Sequence, residues 1–230
     1  MSRGEAKPAP DRRGVIFDLD GTLVDSAPDV ALLLNAVLRP HVAADFSVAE
    51  AQRLMGEGIA ATITKALTAR GCTASPSTID GLQHDFHQRY LREPVQATRP
   101  YPHASTVLSA LARSNIAIGV CTNKAEAPAR LVLEHTGLIA HVGPIIGADS
   151  GHGMKPASTP LLACARQLGV ALPEITYVGD HAIDLATGRA AGVCVILAAY
   201  GYGGSELPLL RADGAIHCLS DLPRLLQITV

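Results

Sequence analysis

No apolar run in this chain approaches the ~20 residues that a membrane-spanning helix needs, and the first residues lack the charged-then-apolar pattern of a secretory signal. A cytoplasmic protein that neither crosses nor coats a membrane is expected. Basic residues do not exceed acidic ones: 19 Lys and Arg stand against 21 Asp and Glu, for a formal net charge of -2. Neither nucleic acid nor an anionic lipid surface is therefore expected as a main partner. Cys-x-x-Cys pairs are also missing. The five cysteines, Cys72, Cys121, Cys164, Cys194 and Cys218, are odd in number, scattered and mostly inside apolar segments. They are read as reduced core residues rather than disulfide or zinc ligands. Internal repeats and low-complexity segments are absent.

What is there can build a large core, because 48% of the 230 residues are hydrophobic. Residues 1–12, with Pro8 and Pro10 among several charges, form a polar leader expected to be disordered or an expression remnant. Beyond it, β-rich apolar runs near 13–18, 116–121, 142–147, 174–179 and 193–197 alternate with helical patterns near 103–113, 125–136, 157–168 and 182–191. That alternation predicts a doubly wound parallel α/β core.

The stretch from 25 to 99 breaks the alternation. It holds no convincing β run, and helical patterns fill it instead. One starts near Pro28, capped by Asp25 or Ser26, with Val30, Leu33, Leu34, Val37 and Leu38 at helical spacing. Others run near 47–55, 57–70 and 76–92, with Gly71 and Pro94 as stops. About 75 residues are too many for an ordinary strand-to-strand crossover. The reading is a helical cap domain, 25–99, inserted into an α/β catalytic core made of 13–24 plus 100–230. The insertion leaves directly after the first strand, so it is expected over the carboxyl ends of the strands, where ligands bind in such sheets.

The first strand carries the chemistry. Residues 15–26 read Val-Ile-Phe-Asp-Leu-Asp-Gly-Thr-Leu-Val-Asp-Ser. Side chains alternate along a strand, so Asp18 and Asp20 can aim into one pocket while Phe17 and Leu19 point into packing. This stretch resembles the first signature of the haloacid-dehalogenase superfamily, as its phosphatases write it. The superfamily has three further signatures, and matching segments follow in order. Cys121-Thr122-Asn123-Lys124 ends a strand and opens a helix, placing a hydroxyl and backbone N–H groups where a phosphate can bind. Met154-Lys155-Pro156 delivers a lysine before a proline-initiated helix. Gly179-Asp180-His181-Ala182-Ile183-Asp184 places two acids at i and i+4 across a strand-to-helix turn. Hard carboxylate oxygens of this kind suit Mg²⁺.

The resemblance implies a HAD-like, Rossmann-type core and a set of roles. Asp18 would be the nucleophile that forms an aspartyl-phosphate, and Asp20 the acid and then the base. Mg²⁺ would be held by Asp18, by the backbone carbonyl of Asp20, and by Asp180, with Asp184 ligating directly or through water. Thr122, the N–H groups of Thr22 and Asn123, and Lys155 would bind the non-bridging phosphoryl oxygens. The acid at position 20 separates this chain from the superfamily's dehalogenases and phosphonatases. Met55-Gly56-Glu57-Gly58, Arg99-Pro100-Tyr101-Pro102, Thr122-Asn123-Lys124 and Tyr200-Gly201-Tyr202-Gly203 make it most similar to the bacterial phosphoglycolate phosphatases. The resemblance covers nearly the whole chain from residue 13.

Two departures stand out: Ala157-Ser158 follows Lys155-Pro156 where the family writes Asp-Pro, and His181 replaces the usual serine. His181 is read as a variable residue beside the metal site. The substrate implied is a small phosphomonoester, 2-phosphoglycolate first, with a sugar phosphate or nucleotide as the alternative. A sugar-phosphate mutase is disfavoured because mutases typically read Gly-Val-Ile/Leu where this chain reads Gly21-Thr22-Leu23, and a non-catalytic binding protein would be expected to lose a signature residue. Substrate choice should come from the insertion. Gly56, Glu57 and Gly58 are the candidates there, with Arg53, Lys65 and Arg99 as further candidate charges; Lys124 of the second signature is a substrate-binding candidate from the core. A monomer or homodimer is expected.

Overall fold

The computed structural model of the chain describes residues 13–92, 96–204 and 211–228. The leader 1–12 and the Pro94 stop lie outside these residues. Six parallel strands form the central sheet: β1 (Gly14–Phe17), β4 (Ala117–Cys121), β5 (Ile145–Ile146), β6 (Ile175–Gly179), β7 (Cys194–Ala198) and β8 (Gly214–Ile216). Their order is β5-β4-β1-β6-β7-β8, with β1 inside between β4 and β6.

Both faces of β1 are covered, which explains its unbroken Gly-Val-Ile-Phe run. Val15 and Phe17 join one apolar cluster with Ile118, Val120 and Val178, while Ile16 joins another on the opposite face with Cys121, Leu161 and Tyr177. Helices α7 (Thr159–Leu168) and α8 (Ala182–Ala191) close the second face; α5 (Ala104–Arg113), α6 (Glu126–His135) and the short α9 (Leu222–Leu225) belong to the first.

Between β1 and β4 the chain forms α1 (Ala27–Leu38), α2 (Val48–Leu54), α3 (Ile59–Ala69) and α4 (Pro76–Arg92), bracketed by two short strands, β2 (Val24–Asp25) and β3 (Arg99–Pro100). Strands β2 and β3 pair antiparallel, Val24 opposite Pro100 and Asp25 opposite Arg99. Outgoing and returning chain thus cross side by side. The apolar faces of α1–α4 share one continuous cluster with the sheet, from Phe17 through Leu34 and Ile63 to Tyr90.

Several boundaries differ from expectation. The run 142–147 pairs only at Ile145–Ile146, because a 3-10 turn at Ile139–His141 and the Gly143-Pro144 step delay the strand. Helix α7 begins at Thr159 with Pro160 in its first turn, so Pro156 precedes the helix instead of starting it. Strands β2, β3 and β8 were not anticipated. Among the cysteines only Cys121 and Cys164 are buried, and Cys194 is exposed at the start of β7; all five are free.

At the N-terminus of α1 the Asp25 carboxylate accepts from the Ala27 N–H at 3.3 Å, whereas the Ser26 alternative is corrected. Ser26 occupies the N-cap position, but its side chain makes no cap hydrogen bond. Instead the Tyr202 hydroxyl accepts from the Ser26 and Ala27 N–H groups at 2.8 and 3.0 Å and donates to Asp25 Oδ1 at 2.7 Å.

One turn further on, buried Asp29 ties α1 to the returning chain. Its carboxylate accepts from the N–H groups of Gln96, Ala97 and Thr98 and from the Thr98 hydroxyl, at 3.3, 2.9, 2.8 and 2.6 Å. Burial opposes its ionisation, but the Thr98, Ala97 and Gln96 donors outweigh it and hold the carboxyl below its ordinary value. A depressed folded pKa stabilises above the unfolded value near 4, and that stabilisation is lost as pH falls through the folded value. Asp29→Asn is expected to cost about 2 kcal/mol at neutral pH, and the gap to the parent protein should close in acid. Urea unfolding at pH 7 and pH 3 checks this, and an equal loss at both would remove the carboxylate from the account.

Candidate active site

The carboxyl ends of β1, β4 and β6, with the loop after β5, converge on one site. Asp18 follows β1 directly, and Asp20 lies two residues on, where the chain turns at Gly21. Phe17 and Leu19, which alternate with them, are fully buried, while Asp18 and Asp20 line a common cavity of about 70 Å³. Gly21 has φ +87, and a Cβ there would collide with the Asp180 carboxylate. Only glycine lets the first loop pack this closely on the end of β6.

Lys155 organises the buried charges. Its ammonium sits 2.8 Å from Asp18 Oδ2 and 2.7 Å from Asp184 Oδ1, and its side chain is 1% exposed. Burial disfavours the charge, but Asp18 and Asp184 hold the ammonium protonated above its ordinary value. Asp184 also accepts from the Tyr177 hydroxyl at 2.8 Å and from the N–H groups of Asp180 and His181 at 3.1 and 3.0 Å. Both of its oxygens accept from protein donors, so it positions Lys155 and the start of α8. Asp180 accepts from the Thr22 hydroxyl at 2.9 Å and from the Tyr202 N–H at 2.7 Å, and its Oδ2 lies 3.0 Å from His181 Nδ1. His181 is therefore more than a variable neighbour: burial lowers its basicity, but the Asp180 hydrogen bond and charge more than restore it.

Three buried carboxylates, Asp18, Asp180 and Asp184, gather at the site, and the Lys155 ammonium pairs with two of them. Asp18 bears the imbalance. Its carboxyl is pushed up to about 7, by burial first and by the Asp184 and Asp180 charges, against the pull of Lys155. A surplus of buried negative oxygen ligands fits a divalent cation. Ligand atoms of Asp180, His181 and Asp184 also lie within 4.8 Å of one another.

Of the remaining expected residues, Thr122 lines the cavity with its hydroxyl accepting from the Lys124 N–H at 3.2 Å. Thr122, Asn123 and Lys124 precede α6, which begins at Glu126, so they sit in the loop and not in the helix's first turn. The Asn123 side chain bridges the Lys155 backbone, by 2.9 and 3.2 Å bonds, to the Gly56 carbonyl at 3.2 Å. The Thr22 N–H is engaged with the Leu19 carbonyl at 3.3 Å and its hydroxyl with Asp180. Thr22 thus braces the loop.

Gly56 and Gly58 line the cavity, and Gly56, at φ +112, packs against the His181 ring. Glu57 points away and pairs with Lys65 at 2.7 Å on the exposed surface. Arg53 and Arg99 are exposed and do not line the cavity. The cation that does is Lys124, 3.2 Å from Asp20 Oδ1, to which the Ser26 hydroxyl also donates.

Residues that sequence reasoning missed are Ser26, Tyr177, Tyr202, and the pair His87 and Tyr90 of α4. Tyr202 falls in the Tyr-Gly-Tyr-Gly segment that carried part of the resemblance, a signal for it. His87 and Tyr90 had none, since an aromatic at helical spacing reads as packing.

Residues 15–198 match the family model described as haloacid dehalogenase-like hydrolase. A phosphoglycolate phosphatase of Rhodospirillum rubrum is 37% identical over 204 residues, covering 87% of this chain and 85% of that protein. One from Chromobacterium violaceum is 35% identical over 219 residues, covering 94% and 96% respectively. Among solved structures, a predicted phosphoglycolate phosphatase from Haemophilus somnus superposes with a TM-score of 0.86 at 24% identity, covering 95% of this chain and 99% of that one. This last likeness is one of fold.

Proposed function

This chain belongs to the haloacid dehalogenase-like hydrolases, and from that premise we propose that it is a phosphatase converting 2-phosphoglycolate to glycolate and phosphate through an aspartyl-phosphate on Asp18. The observation that carries the reading is the Lys155 bridge. One buried ammonium, 2.8 Å from Asp18 and 2.7 Å from Asp184, holds the nucleophile's outer oxygen beside the place where phosphoryl charge must be neutralised. The substrate assignment rests on relatives at 35–37% identity over most of the chain.

Asp18 attacks phosphorus in line; the new bond runs from its carboxylate oxygen to phosphorus, and the bond to the leaving alkoxide breaks. Asp20, reached by the Ser26 hydroxyl and the Lys124 ammonium, gives the alkoxide its proton. It then takes a proton from water, whose oxygen attacks phosphorus, returns the Asp18 carboxylate and frees phosphate. Thr122 and Lys155 bind the non-bridging oxygens.

Asp18, the Asp20 carbonyl and Asp180 are the residues that would hold Mg²⁺, with Asp184 orienting Lys155 behind them. When bound, the ion supplies Lewis-acid polarisation of the phosphoryl group and relieves repulsion between the two anions. Residues 25–99 act as the cap and 13–24 plus 100–230 as the catalytic core.

The test is steady-state phosphate release with Mg²⁺ over a panel holding 2-phosphoglycolate, sugar phosphates and nucleotides. We expect 2-phosphoglycolate to lead in kcat/KM by at least about 10-fold, the discrimination one well-placed polar contact supplies, and a chelator to abolish turnover. A sugar phosphate or nucleotide in first place would reassign the substrate; an isomerised sugar phosphate without phosphate release would make the protein a mutase.

A further inference from the structure

We propose that the Tyr90 hydroxyl selects the leaving group, as a donor waiting in the cap for an anionic oxygen on the non-reacting end of the substrate. The inference rests on the phosphatase reading above and deepens it, by naming the residue that reads the carboxylate.

Tyr90 lies near the end of α4, is 2% exposed and lines the same cavity as Asp18, Asp20 and Thr122. Its hydroxyl is buried, and among the described residues no acceptor lies within hydrogen-bond distance of it; the polar group beside it is the Lys124 ammonium, itself a donor. Native proteins almost always pair a buried hydroxyl, because leaving it dry and unmatched costs stability. The ring itself has ordinary packing reasons to be present. It belongs to the continuous core and lies 6.0 Å from the Phe86 ring one turn earlier. Phenylalanine would meet all of those needs without a stranded oxygen, so the hydroxyl calls for a partner that the protein itself does not provide.

The surroundings define the partner's chemistry. The Lys124 ammonium stands over the Tyr90 ring, 4.5 Å from its centroid, and is only 10% exposed at its side chain. It is shared between that ring and Asp20. The ammonium, paired on one side with Asp20, and the phenol O–H are two neighbouring donors, an arrangement complementary to a carboxylate and not to a further cation. Aliphatic side chains also line the cavity, Val30 of α1, Ile59 of α3 and Pro128 of α6, beside Thr62 and His87. Sugar hydroxyls set against the aliphatic part would be buried unpaired. A short alcohol phosphate ending in a carboxylate satisfies both halves of the cavity.

The experiment compares the parent protein with Tyr90→Phe on two substrates, 2-phosphoglycolate and ethyl phosphate, the second lacking the carboxylate. The readout is the ratio of their kcat/KM values, together with the melting temperature. We expect the ratio to fall at least about 10-fold, in line with loss of a hydrogen bond to a charged group. The variant should melt no lower than the parent, since phenylalanine removes an unsatisfied buried oxygen.

An unchanged ratio overturns the proposal, as does a melting temperature that drops with equal loss on both esters, which would mark Tyr90 as a packing residue only. A parent protein with no preference for 2-phosphoglycolate over ethyl phosphate would instead overturn the substrate reading. The same ratio is then taken with the best substrate of the phosphatase panel against ethyl phosphate, and constancy in Tyr90→Phe would reject the assignment to Tyr90.

Discussion

Asp18→Asn is expected to reduce phosphate release by at least about 10⁴-fold, because it removes the group that forms the covalent bond in the proposed mechanism. The amide keeps the shape of the carboxyl and can still accept the Leu19 N–H bond made to Oδ1 at 2.7 Å, but its oxygen is not a competent nucleophile towards phosphorus. Stability should move the other way. In the metal-free protein the Asp18 carboxyl is raised to about 7, chiefly by burial. A raised folded pKa stabilises fully below the unfolded value near 4, and that contribution is lost as pH rises through the folded value. The variant and the parent should therefore unfold alike at pH 4 in chelator, with the variant more stable by pH 8. Thermal melts at the two pH values, beside a phosphate-release assay, separate lost chemistry from lost fold. Parent-like turnover in the variant would end the covalent mechanism.

Lys155→Ala carries the second large effect, and here fold and activity fail together. The ammonium is the single cation on two buried carboxylates, and removing one partner of a buried ion pair typically costs about 3–5 kcal/mol. At roughly 2–4 °C per kcal/mol for a chain of this size, the melting temperature should fall by about 6–20 °C. Arginine should not rescue it, since a planar guanidinium cannot take the place of a compact ammonium between Asp18 Oδ2 and Asp184 Oδ1. Added Mg²⁺ should recover part of the lost stability by returning positive charge to the same acids, without recovering turnover. A variant as stable as the parent with and without Mg²⁺ would show that the pair does not hold the site together.

Much of this was legible in the sequence because the informative signals are local. Each signature is a strand end or the loop after it, so the alternation of elements together with the resemblance was enough to bring Asp18, Thr122, Lys155 and Asp180 to neighbouring strands. The helices α4 and α8 fall at their expected bounds, 76–92 and 182–191, since their apolar spacing and terminators agree.

What escaped is what depends on distant partners. Strands of two or three residues, such as β2, β3 and β8, are defined by pairing and carry no period of their own. Ser26 looked like an N-cap because it stands before a helix with an early proline, yet its hydroxyl goes to Asp20 and Tyr202 serves the helix. Glu57 and Gly58 adjoin in sequence, but only the glycine faces the cavity. Tyr90 gains meaning only when Lys124, 34 positions along the numbering, is placed over its ring.

Tyr202 acts as a strut of fixed length. A phenol ring offers no torsion that shortens it, and this one is held at both ends: its backbone N–H is on Asp180 Oδ2 at 2.7 Å, and its hydroxyl is on Asp25 and the first N–H groups of α1. Any swing of the four inserted helices about the β2–β3 crossing must therefore either carry the strut with it, shifting the acid at the end of β6, or break its hydrogen bonds at about 1 kcal/mol each. The attitude of the helices over the cavity and the aim of the Asp180 carboxylate are one mechanical variable, set by a single side chain.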